Sequence, residues 1–482
     1  MGLLKKIIIR VSRPILNLFD SLGFSIKKTD SLDLQIRKIQ SITNLKFRLR
    51  ASEDLVRKNP IHPLSQLNLA QCLHSMNDIQ EFSQMVRYAE VMQEWKTRTG
   101  FLEMDNELIP LSMVIGALGN HYALEGLLRA NQYGLRYPKK LFLLLPEQSI
   151  YGWKICNPAL FSYFEPHFNI IQDRESIQTL KQIETLMKLP LGLCLPLIKG
   201  CPYLDIAANQ IEAERIKKGL DSALFTLSDS HEKIGRKALQ KLGLPKGAWY
   251  VTLHVREPGY RDETRKNSQE DFRNANPYDY LKAIDAITSS GGWVFRMGDP
   301  SMSELPSLPQ VIDYAHHEIR SDVMDVFLGA TCAFCIGTSS GYFRIPRYFG
   351  VPVLYTNCSP SVGYFSLMEH DLALITLLKE KNTNKYLSFK EILTPPVSMF
   401  WSARGFNDAG LLSIKNTPEE LREATKEMIN QTIGNNVQEP DDLQIRFKSL
   451  AEKCGSKYGE YSAKAFAPIS REFIHNHDDL LD

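Results

Sequence analysis

Apolar residues recur at helical spacing through LSQLNLAQCLHSM and EFSQMVRYAEVMQEW, on either side of a short turn near Asn77 and Asp78. This predicts a helical region over residues 25–105. The pair has no second copy at a fixed period, which disfavours a solenoid. From Leu108 the pattern changes. LIPLSMVIGALGNHYALEGLLRANQYGL reads as a strand, a glycine-containing loop and a helix. KKLFLLLPE is a continuous apolar run, the form of a parallel strand covered on both faces. NPALFSYFEPHFNII reads as another helix–strand unit. CPYLDIAANQIEAERIKKG and SDSHEKIGRKALQKLGL read as helices, with Gly243 closing the second. These segments make a first domain over 106–244.

Beyond Pro245 the alternation is regular. AWYVTLHVRE, WVFRMGD, the short VIDYAHH, CAFCIGT and VPVLYTN read as five strands. PYDYLKAIDAITSSGG, SDVMDVFLGA and GYFRIPRYFG are the helices between them, the second capped by Ser321. A looser region follows. TPEELREATKEMINQT then starts a helix with a Thr417–Glu420 capping box. Strands and helices in this rhythm are the sequence form of a doubly wound parallel sheet, here over 245–435, with a helical tail over 436–482. Such sheets bind ligands at the carboxyl ends of their strands. HVRE, MGD and GTSSG all fall at such ends.

Composition fits this α/β picture. With 482 residues, 43% of them apolar and 23% charged, the chain is a folded protein of about two domains. A formal net charge of +2 speaks against a nucleic-acid partner. Cys332 and Cys335, in CAFC, sit within an apolar strand and read as buried thiols in a reducing compartment, so neither a zinc site nor a disulfide framework is expected. Charge is concentrated at the N-terminus: Met1–Arg50 holds 11 Lys and Arg against 3 Asp, a balance of +8. No apolar run there is long enough to span a bilayer. Residues 1–24 are expected to lie on an anionic membrane surface as an amphipathic basic segment, the alternative being a helix packed on the protein itself.

The chemistry at the carboxyl edge is polar and cationic. In HVRE, His254 and Arg256 share one side of a strand, and Arg256 carries a planar five-donor fork suited to a diphosphate. Arg296, Gly298 and Asp299 are placed similarly in FRMGD, with Asp299 an acceptor for a base or ribose. Glu257 is the neighbour with which Arg256 could form a surface ion pair. Gly337, Thr338, Ser339, Ser340 and Gly341 form GTSSG, which reads either as a phosphate cradle or as a plain helix-capping loop. It is neither a Walker A loop nor a dinucleotide fingerprint. The loop 259–274 is either a flap or a solvated segment. In the first domain, His121 in GALGNHY is a candidate general base, or a histidine capping the helix it opens. Asp322 and Asp325 open a helix and are expected to be solvated, and no metal site is expected.

HVRE, FRMGD and GTSSGYFRIPRYFGVPVLYTN resemble the donor-side pattern of fucosyltransferase-like enzymes. Over roughly 106–430 the chain resembles a bacterial family of glycosyltransferases associated with surface-polysaccharide genes, most densely at 249–357. The resemblance implies a GT-B type α/β fold, with two Rossmann-like domains facing a cleft and an N-terminal helical extension. It implies a nucleotide-sugar donor on 245–435, with no separate cofactor, and a glycan or lipid-linked acceptor on 106–244. It implies that Arg256 contacts the donor diphosphate, that Thr338 to Ser340 complete the phosphate site, and that the enzyme works in the cytoplasm at the inner face of the membrane. Those enzymes often carry two adjacent arginines. Here Arg256 is followed by Glu257, so the sugar and nucleotide stay open. The competing readings are a non-catalytic nucleotide-sugar or glycan-binding module and another sugar-nucleotide enzyme such as an epimerase. The epimerase lacks its NAD fingerprint.

Overall fold

The computed structural model describes residues 26–76, 80–98, 106–109, 118–136, 140–145, 155–174, 177, 195–198, 202, 204–258, 270–359, 366–400, 402–436, 438–455 and 465–481. The expected membrane segment 1–24 and most of the charged loop, 259–269, lie outside them. Among the described residues no helix is long and apolar enough to cross a membrane.

The chain divides into two compact units, one formed by 1–156 and 164–207, the other by 157–163 and 208–482. The first opens with four helices: α1 (Ile26–Gln40), α2 (Leu45–Lys58), α3 (Pro63–Met76) and α4 (Gln80–Arg98). Asn44 caps α2 by accepting from the amides of Lys46 and Phe47. Across α2 and α3, Asn68 donates to Ser52 at 3.0 Å in a buried pair, which removes the cost of burying either group alone. Three parallel strands follow in the order β1 (Asn106–Ile109), β2 (Lys140–Leu144) and β3 (Phe168–Ile171), with α5 (His121–Gln132) between the first two. The expected first strand, its helix and the two further strands are present; the glycine-containing segment 110–117 lies outside the described residues. Helix α6 (Pro158–Phe164), which up to Tyr163 belongs to the second unit, precedes β3 along the chain, and α7 (Leu204–Lys218) passes from the first unit's residues to the second's at Ala208.

The second unit takes more of the chain than the 245 boundary allots it. Helix α8 (Asp229–Lys241) belongs to it. The reason is a close helix contact: a Cβ on Gly235 would stand 2.0 Å from the Phe327 ring, so only glycine lets α8 approach so near. Tyr163, Phe225 and Phe349 add an aromatic cluster within the same unit. Helix α8 ends as expected at Gly243, whose φ of +76° suits a C-terminal glycine.

The core of this unit is a six-stranded parallel sheet among the described residues. Its strands are β4 (Tyr250–His254), β5 (Trp293–Arg296), β6 (Val311–Ile312), β7 (Phe334–Gly337), β8 (Val353–Cys358) and β9 (Leu372–Ile375). They lie in the order β6-β5-β4-β7-β8-β9. Counted along the chain this is 3-2-1-4-5-6, the dinucleotide-binding order, whose crevice opens where the winding reverses, between β4 and β7. Every residue of β4, β7, β8 and β9 is buried, as a sheet covered on both faces requires. Helix α9 (Leu281–Ser289) connects β4 to β5, and α10 (Asp322–Thr331) runs from β6 to β7 with Ser321 accepting from the Met324 amide. Helix α11 (Arg344–Tyr348) is only five residues long.

The region expected to be loose holds three strands. One is β9. The others, β10 (Leu377–Glu380) and β11 (Leu411–Ile414), pair antiparallel, with α12 (Phe389–Leu393) and α13 (Ala403–Asp408) between them. Helix α14 (Pro418–Thr432) has the expected capping box, Thr417 and Glu420 each bonding the other's backbone. The tail supplies α15 (Asp442–Gly455) and α16 (Arg471–Asn476), and Ile469 bridges to Ala373 beside β9, so it is part of this unit's body.

Candidate functional site

The ends of β4 and β7 are joined by hydrogen bonds. His254 and Gly337 are register partners, and the Thr338 amide donates to the His254 carbonyl at 3.2 Å. Thr338 Oγ1 accepts from the Arg256 amide at 2.8 Å, and Ser340 Oγ meets His254 Nδ1 at 3.0 Å. Ser339 Oγ pairs with the Tyr355 hydroxyl at 2.7 Å. All three hydroxyls of GTSSG are therefore engaged with the sheet. With α11 so short and starting three residues past Gly341, the loop acts as a clasp across the switch point. Ser340 and Gly341 are its half-buried members.

His254 stacks on Tyr342 with ring centroids 5.4 Å apart. Burial, with the nearby Arg296 charge second, lowers its pKa to about 4, so it is neutral at pH 7. His121 is also buried. Its Nδ1 faces the Leu118 carbonyl at 3.2 Å, which can only accept, so Nδ1 carries the proton and Nε2 keeps the lone pair. Burial lowers its pKa to about 4 as well, and its ring packs on Phe164 at 5.3 Å. This is the placement of a core histidine at the start of α5.

Arg296 and Glu257 are brought together, but with each other. Arg296 is 0% exposed; its Nη2 donates to Glu257 Oε1 at 2.5 Å and its Nη1 to Asp313 Oδ1 at 3.2 Å. Glu257 Oε2 also accepts from the Ser303 amide at 3.0 Å. The alternative reading, a surface ion pair between Arg256 and Glu257, is not what forms: Glu257 is taken by Arg296, which Asp313 also neutralises. Gly298, at φ +153°, makes room for Met302, whose sulfur would lie 2.2 Å from a Cβ there. Asp299 Oδ1 accepts from the Ser301 amide at 2.9 Å, while its Oδ2 is buried with no hydrogen-bond partner.

Arg256 differs. Its side chain is 20% exposed and reaches Glu270 Oε2 at 2.9 Å and Asn274 Oδ1. Arg273, on the 3-10 turn Asp271–Arg273, grips the same Glu270 oxygen at 2.5 Å. Lys415, just past β11, donates to the Phe272 carbonyl of that turn. Burial, then Arg273, lowers the Arg256 pKa from its ordinary value. Burial, then Arg256, lowers Lys415 to about 8. Two guanidinia thus share one carboxylate beside the switch point, and Lys415 holds the backbone of the same turn.

Sequence reasoning missed Arg273 and Lys415. Arg273 lay in a loop read as flap or solvent-facing, and Lys415 in the loose region. The available signal was LLSI directly before the capping box, a short apolar run ending in a lysine. The lysine is held in register by Asn416 and Asn357. The Asn357 amide donates to Asn416 Oδ1 at 2.6 Å and the Asn416 amide to Asn357 Oδ1 at 2.8 Å. Asn357 adopts φ +49°, which asparagine tolerates, where β8 shifts register.

Asp325 is not solvated. It accepts from the Tyr314 hydroxyl at 2.8 Å and from Asn157 at 3.3 Å, and burial raises its pKa to about 7. Among the described residues no group of three or more His, Cys, Asp or Glu is arranged to hold a metal ion. Cys332 and Cys335 are free and buried.

No protein-family model matches the chain, and no curated protein matches it. Among solved structures, it is similar to a glycosyl transferase of family 9 from Veillonella parvula, at 11% identity and a TM-score of 0.36, over 56% of this chain and 86% of that one. It is similar also to the E. coli ADP-heptose LPS heptosyltransferase II, at 14% identity and a TM-score of 0.36, over 68% of this chain and 99% of that one. Likeness this slight does not bear on function.

Proposed function

We propose that the protein is a glycosyltransferase of the GT-B kind, taking its sugar from a nucleoside-diphosphate donor held at the β4–β7 switch point. The observation that carries this reading is Arg256: a partly exposed guanidinium past the first strand of a 3-2-1-4-5-6 sheet, where such sheets bind ligands, with Arg273 and Lys415 beside it. A diphosphate leaving group gains negative charge as its bond to the sugar breaks. Cations fixed in a partly buried site stabilise that charge more than water does. The buried Arg296 supports the site from below, its charge neutralised by Glu257 and Asp313. In this reading the cations do the work of a divalent metal, and EDTA leaves activity intact; loss on EDTA with recovery on a divalent ion would overturn it.

The acceptor is a glycan or lipid-linked glycan, and residues 1–24 hold the enzyme at an anionic membrane surface. The basis is sequence alone: Leu3, Leu4, Ile7, Ile8 and Ile9 beside Lys5, Lys6, Arg10 and Arg13. The test of function is a thermal-shift screen against UDP-, GDP-, CMP- and dTDP-sugars and their free nucleotides, followed by isotope transfer from the one that binds. A clear shift with one class and transfer abolished in R256A supports the enzyme. Binding without transfer favours a sugar-nucleotide-binding module, and no binding defeats both.

A further inference from the structure

The cations around Arg256 do not come from one motif. Arg256 lies beyond β4, Arg273 at the end of the 3-10 turn Asp271–Arg273, and Lys415 beyond β11. Two contacts bring them together. The turn's Phe272 carbonyl accepts from Lys415 Nζ, and its Phe272 ring packs on Phe406 of α13 at 5.2 Å. The backbone next to Lys415 is pinned by the reciprocal Asn357–Asn416 pair, and Asn416 also donates to the Ile375 carbonyl at 3.0 Å. A buried amide clasp of this kind leaves the lysine little freedom of position. Both guanidinia close on one oxygen, Glu270 Oε2, of a side chain that is 55% exposed. Such an oxygen occupies the place an anionic ligand oxygen would take, and an exposed carboxylate is held weakly enough to yield it.

We infer that Lys415 is a third cation of the donor site, and that it takes up a proton when a nucleoside diphosphate binds. This rests on the glycosyltransferase reading above, and it adds a residue and a proton-linked step to it. The physical basis is the charge around the ammonium group. The ionisable groups on the elements about it are Arg256, then Glu270, Asp271 and Arg273 on the turn, and Tyr280 bonded to Asn357. Burial and the Arg256 charge leave Lys415 with a pKa of about 8, so part of the population is neutral at pH 8. A diphosphate that binds the two guanidinia and extends an oxygen to Lys415 Nζ favours the ammonium form and raises that pKa. Uptake is therefore greatest somewhat above pH 8 and falls away below pH 7, where Lys415 is already charged.

The experiment is isothermal titration of the full chain with UDP, ADP, GDP, CDP and inorganic pyrophosphate, at pH 6.5 and 8.5. Each titration is run in buffers of different ionisation enthalpy, which reads protons taken up per binding event. Subtracting the K415R titration removes the ligand's own phosphate protons, and the uptake left for native protein is expected to be a substantial fraction of a proton at pH 8.5 and almost none at pH 6.5. K415R keeps a charge that does not titrate in this range, so its titration shows the ligand's protons alone. K415M should bind at least about tenfold more weakly, the size of one charged hydrogen bond. Equal uptake in native protein and K415R, or native affinity in K415M, overturns the role of Lys415 while leaving the donor site standing if R256A still abolishes binding. Binding that R256A leaves unchanged, or no binding by any probe, overturns the site and the lysine together. Pyrophosphate binding as tightly as every nucleotide would identify the ligand as free diphosphate, against the nucleoside-diphosphate inference.

Discussion

The ends of β4 and β5 lie side by side in one sheet and each carries an arginine, yet the two serve opposite purposes. Arg296 ends β5 with no exposed surface, between Glu257 and Asp313. Arg256 stands two residues past β4, partly exposed, sharing an exposed carboxylate with Arg273. Both look equally suited to a diphosphate in the sequence. Burial separates them. A desolvated guanidinium must be fully neutralised by the protein itself, so it has nothing left for a ligand. A partly exposed one can exchange its counterion.

The largest effect expected from this contrast is on stability. R296M or E257Q breaks a buried pair and strands the partner's charge, which costs about 3–5 kcal/mol. Urea unfolding followed at the second unit's tryptophans checks it, and a loss under about 1 kcal/mol would mean that Arg296 is not the structural member of the pair. The next effect falls on activity. R256A should lower transfer by about 10²–10³-fold, the scale of losing one preorganised donor to a developing charge, with unfolding midpoints nearly unchanged. If R256A unfolds readily, the contrast collapses.

The third concerns His254, at the end of β4. Its folded pKa of about 4 lies below the ordinary value near 6.5. The neutral form is what the fold holds, so its contribution is complete above about pH 6.5 and is lost as pH falls toward 4. By pH 5 the loss is about 2 kcal/mol. H254Q should flatten that part of the stability profile; an unchanged slope would assign it to other groups. The smallest effect is expected at Glu270. E270Q removes an exposed counterion, which costs at most about 1 kcal/mol of stability. It should tighten diphosphate binding several-fold, and weaker binding would show that Glu270 helps hold the ligand and does not stand in for it.

Much of the second unit was legible along the chain, and the reason differs by element. A parallel strand such as FCIG announces itself because both its faces are buried, so it is apolar without interruption. Caps such as Ser321 and the Thr417–Glu420 box are local chemistry, set by residues three apart. The strands Leu372–Ile375 and Leu411–Ile414 escaped notice. They are short and surrounded by mixed sequence, and only partners far along the chain make them strands. Asp325 was misplaced for the same reason, since its burial depends on Tyr314 and Asn157. In GTSSG the glycines and hydroxyls marked a loop at a strand end, but nothing local shows that the hydroxyls are taken by Arg256, Tyr355 and His254.

By itself, then, the sequence determined the strand–helix alternation, the capping of α10 and α14, and the presence of Arg256 at the carboxyl edge. These depend on spacing, backbone geometry and side-chain type within a few residues. Tertiary structure alone decided which of two arginines is free to meet a ligand, that Glu257 faces Arg296, and that Lys415 joins Arg256 from 159 positions away. Those outcomes depend on desolvation and on the distance between charges, and neither exists until the sheet has assembled.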